Sequence, residues 1–263
     1  MNKSEYTQYL KERLYIHFKE VSKYHDPDQI LGVFLYGSQN YNSYTEGSDV
    51  DSKCILIPTI KELCLSKPVS KEIHLSNGEH CEVKDIREMS KMFKKQNINF
   101  LEILYTDYNL INPKYAKTWG TFLDIRDDIV RMNIRATIQS ITGQIYNTMR
   151  ADPKNGKKIS NALRFIHFLR KFLVGENYED CIDIKTYDPE IQKLIMDLKK
   201  GEINDDEKSA IVENIFKDAQ KLADRLDDYP LGPDDATAAL LDRATVNVIT
   251  NNHFDFNFYN KEI

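Results

Sequence analysis

Ile30-Leu31-Gly32-Val33-Phe34-Leu35-Tyr36-Gly37-Ser38 is followed by a polar loop and then by Ser48-Asp49-Val50-Asp51-Ser52-Lys53-Cys54-Ile55-Leu56-Ile57-Pro58. Residues 30–36 form an apolar run rich in β-formers that stops at Gly-Ser. Residues 50–58 read as a second strand. Ile55, Leu56 and Ile57 are consecutive, which suits a sheet covered on both faces.

The same alternation continues downstream. Residues 73–85 read as a hairpin turning at Asn77-Gly78, and its returning arm, residues 79–84, is a third strand of interest. Upstream, Tyr6, Leu10, Leu14, Phe18 and Val21 recur at helical spacing over residues 4–24, and Asp26-Pro27-Asp28 ends that helix. From Ile86 onward the pattern is helical. Helices are predicted over 124–149, 157–174, 189–200, 205–227 and 234–249, with breaks at 152–156 and 230–233. The predicted fold is α+β: strands cluster early, in a domain over residues 1–115, and a helical C-terminal domain follows over 116–263.

The chemistry sits at the junction of the first two strands. Side chains two apart on a strand share a face, so Asp49 and Asp51 are expected to project together. Neighbouring carboxylates repel unless a cation lies between them. Hard oxygen ligands suit Mg²⁺ or Mn²⁺, which complete their shells with water and substrate phosphates. Gly37 allows a phosphate close to the backbone, and Ser38 adds a hydroxyl donor. A helix starting just after this pair would aim free N–H groups at a triphosphate. A third carboxylate would complete a two-metal site and serve as general base. Glu82 is preferred over Asp85 for that role, because it shares a face with His80 and Lys84 while Cys81 and Val83 point to the core.

The bulk numbers narrow the class. The chain has 263 residues, 41% hydrophobic and 29% charged, which is ordinary for a globular protein. Its formal net charge of −5 argues against a general nucleic-acid binder and leaves local basic patches open. Cys54, Cys64, Cys81 and Cys181 form no C-x-x-C pair and have no His at zinc spacing, so reduced thiols are expected. The first 25 residues lack an apolar signal core, and no apolar run is long enough to span a membrane. A cytoplasmic location without membrane contact is expected.

These residues resemble the nucleotidyltransferases of the DNA polymerase β superfamily, and more closely the branch described as predicted RNA-repair-pathway nucleotidyltransferases. Gly37, Ser38, Tyr41, Ser48, Asp49, Asp51 and Pro58 match that branch's opening pattern. Glu82, and Asn97 through Leu101-Glu102, look like its acidic strand and the segment that follows. Gly156-Lys157-Lys158 with Arg164, Leu198-Lys199-Lys200-Gly201-Glu202, and Leu231-Gly232-Pro233-Asp234 resemble its later motifs. The third acid is Glu where Asp is common, Asn161 stands where His is frequent, and Leu231-Gly232 replaces Leu-Pro. The resemblance implies a nucleotidyltransferase domain built on a mixed β-sheet with flanking helices, followed by an all-helical C-terminal domain. The implied reaction transfers a nucleoside monophosphate from an NTP to an acceptor hydroxyl, releasing pyrophosphate. Asp49, Asp51 and Glu82 would hold Mg²⁺ or Mn²⁺, and Gly37, Ser38, Ser48, Lys158 and Arg164 would hold the nucleotide. The implied acceptor is an RNA end or a tRNA. A protein side chain, as in antitoxin-type AMP transferases, and a non-catalytic nucleotide-binding module are the alternatives.

Other features stay open at this level. Lys157, Asn161, Arg164, Phe168 and Lys171 fall on one helix face, either a phosphate-binding stripe or a solvated surface. Tyr36, Tyr41 and Tyr44 either stack on a base or pack against the loop. Phe254, Phe256 and Phe258 alternate like a strand that docks on this chain or on a second copy.

Overall fold

A computed structural model describes residues 2–253; the alternating Phe254, Phe256 and Phe258 lie outside them. The fold is α+β, with one five-stranded mixed sheet and many helices. The first helix, α1 (Lys3–Val21), is closed at its N-terminus by an Asn2/Glu5 capping box. The strands β1 (Ile30–Tyr36), β2 (Asp51–Leu56), β3 (Ser70–His74), β4 (His80–Asp85) and β5 (Asn109–Ile111) are ordered β3-β4-β2-β1-β5. The β3–β4 hairpin turns through Gly78 at φ +90°, a value that glycine adopts without strain. Only β2 and β4 run parallel.

Between and after the strands come α2 (Ile60–Cys64), α3 (Ile86–Lys94) and α4 (Ile98–Leu101), then α5 (Ala116–Asp124), α6 (Arg126–Arg131), α7 (Ile134–Ala151), α8 (Gly156–Leu173), α9 (Tyr178–Ile182), α10 (Pro189–Lys200), α11 (Asp205–Ala223) and α12 (Asp235–His253). The helix expected over 124–149 is broken. Asn133 leaves helical geometry at φ −148°, and its side chain accepts the Ala136 N–H, starting α7 afresh.

Strand alternation splits the sheet into two faces. Val33, Leu35, Cys54, Leu56, Cys81 and Val83 pack with Leu10, Leu14 and Val21 of α1. On the other face Leu31, Phe34, Ile55 and Ile57 join one large cluster that continues through α3, α7, α8 and α10 to Val248 of α12. The apolar core is therefore continuous across residue 115. A fully buried Leu, Ile or Phe contributes about 1.5–3 kcal/mol, so this shared face fixes the helices on the sheet. No described helix is long and apolar enough to cross a membrane. The four cysteines are free, and of these Cys64 alone is exposed.

Candidate active site

The cavity opens where β1 ends. Gly37 sits at φ +86°, and a Cβ there would lie 4.0 Å from Asp51 Oδ2. The chain then forms tight turns, with Asn40 and Tyr41 N–H groups donating to the Gly37 carbonyl and Ser43 N–H donating to the Ser38 carbonyl. No α-helix begins here, so the turn carries no helix dipole. Gln39, buried, donates to the carbonyls of Ser48 (3.2 Å) and Asp49 (3.4 Å). This clamp ties the loop before β2 to the Gly-Ser turn, and the sequence reading missed it.

Asp49 precedes β2 and is exposed; Asp51 opens the strand. Both line one cavity of about 160 Å³ together with Ser38, Ser48, Lys157 and Lys199. Ser48 Oγ accepts the Thr45 N–H at 2.8 Å, which shapes the loop. A larger adjoining cavity of about 290 Å³ shares Ser38, Asp51, Lys157 and Lys199, and adds Gly37, Tyr41, Asn161 and Arg164. Asp51 is held by His80, whose Nδ1 lies 2.7 Å from Asp51 Oδ1. The hydrogen bond to Asp51 raises the His80 pKa above the usual histidine value, against the lowering effect of burial.

Glu82 does not join these carboxylates. The parallel register sets Lys53 opposite Glu82, and the Lys53 ammonium lies 2.5 Å from Glu82 Oε2. Lys84 lies 3.1 Å from the other oxygen. Burial raises the Glu82 carboxyl, but the two lysines outweigh it and hold the pKa below the usual carboxylate value. A carboxylate so neutralised is a weak proton acceptor. Lys53 itself is 2% exposed, 3.8 Å from the Tyr36 ring and 4.2 Å from the Phe100 ring. Asp85, the other candidate, is fully buried and structural. It caps α3 by accepting from Arg87 N, accepts the Val69 N–H at 2.8 Å, and pairs with Arg87 at 2.7 Å.

The helical half supplies cations. Lys158 points elsewhere and pairs with Asp152 at 3.3 Å; its neighbour Lys157 lines both cavities. Gly156 makes this approach possible, because a Cβ there would lie 2.1 Å from the Leu198 carbonyl oxygen of α10. The close contact brings Lys157 and Lys199 to the same cavity. Gly156→Ala is expected to push α8 from α10 and to destabilise the chain by about 1–3 kcal/mol, the usual range for overpacking. Chemical denaturation would measure it, and a polyphosphate-binding assay should show weakening in parallel. Of the stripe noted on α8, Phe168 is core and Lys171 pairs with Glu176 at 2.5 Å, so only its N-terminal part reaches the cavity.

Arg164 is 2% exposed, with its guanidinium 3.8 Å from the Tyr41 ring and 4.6 Å from the Phe165 ring. Its Nε and Nη1 have no hydrogen-bond partner among the described residues. Leaving a buried cation without a hydrogen-bonded anion costs free energy, which an anion in the adjoining cavity would offset. Lys199 donates to the Ser43 carbonyl; burial, with Lys157 and Arg164 close by, lowers its pKa to about 8.

Beneath the turn lies Glu102, fully buried. Burial pushes its carboxyl up to about 7, against the opposing pull of Tyr41, Lys53, Asn40 and Arg164. An elevated folded pKa means that the folded state holds a proton the unfolded chain has released. Stability from this group is complete below about 4.5 and is lost as pH rises through about 7. Relative to Glu102→Gln, the native chain should therefore be less stable at pH 8 than at pH 5, which urea titrations at the two pH values would measure.

Among the described residues, no three or more His, Cys, Asp or Glu side chains are grouped to hold a metal. Asp49 and Asp51 alone still fit Mg²⁺ or Mn²⁺, because such ions commonly take one or two carboxylates and complete their shell with substrate phosphates. Tyr36 and Tyr41 line the larger cavity, while Tyr44 stacks on Tyr6 at 5.1 Å. Comparison with protein-family models and with curated proteins gives no match to this chain.

Proposed function

We propose that the chain is a metal-dependent nucleotidyltransferase of the DNA polymerase β type, transferring a nucleoside monophosphate from an NTP to an acceptor hydroxyl with release of pyrophosphate. One observation carries this reading. Two carboxylates and three cations without carboxylate partners among the described residues meet at adjoining cavities beside a Gly-Ser turn. Other lysines on or just before α8 and α10 lie beside carboxylates: Lys154 beside Asp205, Lys158 beside Asp152, Lys193 beside Asp197 and Lys200 beside Glu202. In a chain of net charge −5, cations left open at one place mark a polyanion site.

In this reading Lys157, Lys199 and Arg164 bind the triphosphate, and Gly37-Ser38 approach it from the sheet. Asp49 and Asp51 would hold Mg²⁺ or Mn²⁺, which neutralises charge on the reacting phosphate when bound. His80 orients Asp51, and Gln39 holds the Asp49 loop. Ile145, Ala162 and Phe165 form an apolar wall that limits water around the phosphates. The acceptor hydroxyl releases its proton to solvent water, its oxygen bonds to the α-phosphorus as the bond from that phosphorus to the oxygen bridging to the β-phosphorus breaks, and pyrophosphate leaves with that oxygen.

An RNA end is the proposed acceptor, on the resemblance of the motifs. Incubation with each NTP, Mg²⁺ and RNA, followed by mass spectrometry, is expected to show one added nucleotide mass and pyrophosphate. Parallel reactions with protein and small-molecule acceptors separate the other substrates. Absence of transfer to every acceptor, with NTP bound intact, would favour a nucleotide-sensing module instead.

A further inference from the structure

We infer that Glu102 is a positioning residue that holds the Gly37-Ser38 turn and, through Tyr41, sets Arg164 to face the polyphosphate cavity. The inference rests on the nucleotide-site reading above and adds to it a buried group that makes no contact with substrate.

The geometry is a fan of donors from one short turn. Glu102 Oε2 accepts the Gly37 N–H at 3.3 Å and the Asn40 side-chain amide at 3.1 Å, and Oε1 accepts the Tyr41 hydroxyl at 2.6 Å. All the donors belong to residues 37–41, whereas Glu102 comes from the 3₁₀ turn after α4. A buried carboxylate is costly unless its lone pairs are filled, and here the turn fills them. The Gly37 N–H is thereby committed to Glu102, which sets the direction in which the turn presents Ser38.

The second link runs through the Tyr41 ring. Its hydroxyl is fixed by Glu102, and its face carries the Arg164 guanidinium at 3.8 Å. The ring offers cation–π attraction without using any N–H, so Nε and Nη1 keep their donors. A carboxylate directly on Arg164 would consume those donors and cancel its charge. Placing the acid on the far side of a tyrosine orients the cation and leaves its donors available.

The charge of Glu102 and its positioning role act on anion binding with opposite signs, which makes the idea testable. If Glu102 acted through charge alone, Glu102→Gln would tighten polyanion binding, because a negative group is removed. Acting by position, the amide, with one acceptor oxygen where the carboxylate has two, would release either the Tyr41 hydroxyl from its donating role or the Gly37 and Asn40 donors, and so weaken binding.

The test is calorimetric binding of tripolyphosphate with Mg²⁺ at pH 8 to the full chain, Glu102→Gln, Tyr41→Phe and the double variant. Glu102→Gln is expected to weaken binding about 10-fold. Tyr41→Phe, which removes one hydroxyl without changing charge, should weaken it several-fold. The double variant should fall short of the product of the two, as for residues in one network. Thermal unfolding of each variant accompanies the titrations; if Glu102→Gln does not fold, Tyr41→Phe decides. A native chain that binds while the variants bind equally or more tightly overturns the role of Glu102 alone. A native chain that fails to bind tripolyphosphate overturns the polyanion site, and this inference with it.

Discussion

Asp49→Ala with Asp51→Ala is expected to reduce nucleotidyl transfer by at least about a thousandfold, since the charge stabilisation supplied at such sites is worth several kcal/mol. The two carboxylates come from different local settings. Asp49 is exposed in a loop clamped by Gln39, whereas Asp51 is half-buried on β2 and bonded to His80. Asp49→Ala should therefore leave the melting temperature unchanged, because no hydrogen bond or ion pair from the described residues holds its exposed side chain. Asp51→Ala should lower it slightly by releasing His80. Pyrophosphate release measures the chemistry and differential scanning fluorimetry measures the fold. Full transfer by the double variant would remove both residues from the reaction. Glu82→Gln is the informative contrast. With its carboxylate tied to Lys53, it should affect stability more than rate.

Arg164→Met is expected to weaken NTP binding roughly 10- to 100-fold, the range for losing hydrogen bonds from a charged group. Methionine keeps much of the apolar volume against Tyr41 and Phe165, so the variant should fold. It should even gain stability, because an unpaired buried cation is replaced by an apolar group. A rise in stability with a fall in affinity is the signature of a residue held for a ligand. Lys199 adds a pH dependence. Its pKa of about 8 means that it is charged below that value and neutral above it. NTP binding should weaken as pH rises through and past 8, and Lys199→Met should lack that component. Titration calorimetry from pH 7 to 9.5 checks both statements. Unchanged affinity in Arg164→Met would show that its free donors do not meet phosphate.

Much of the fold was legible because its signals are local. Helical spacing marked α1, α8, α10 and α11 to within a few residues, and Asn77-Gly78 marked the β3–β4 turn. The long helix expected over 124–149 failed at Asn133, where a side-chain cap outweighs continuing apolar periodicity. At the site, alternation correctly set Glu82 on the face opposite Cys81 and Val83. It could not say what stands beside Glu82 on the next strand. That depends on a parallel register between β2 and β4, across the intervening α2 and β3.

By itself the sequence determined the strand–Gly-Ser–loop–Asp-x-Asp order, the acidic pair and the helical remainder, since each follows from neighbours a few residues apart. Only the tertiary structure decided that Lys157 rather than Lys158 faces the cavity, that Lys199 joins it, and that Glu102 supports the turn from beneath. These outcomes are set by α8 touching α10 at Gly156 and by 65 residues of chain separating Gly37 from Glu102. Packing between distant segments selects which side chains converge, because a shared core fixes helix rotation and strand register together.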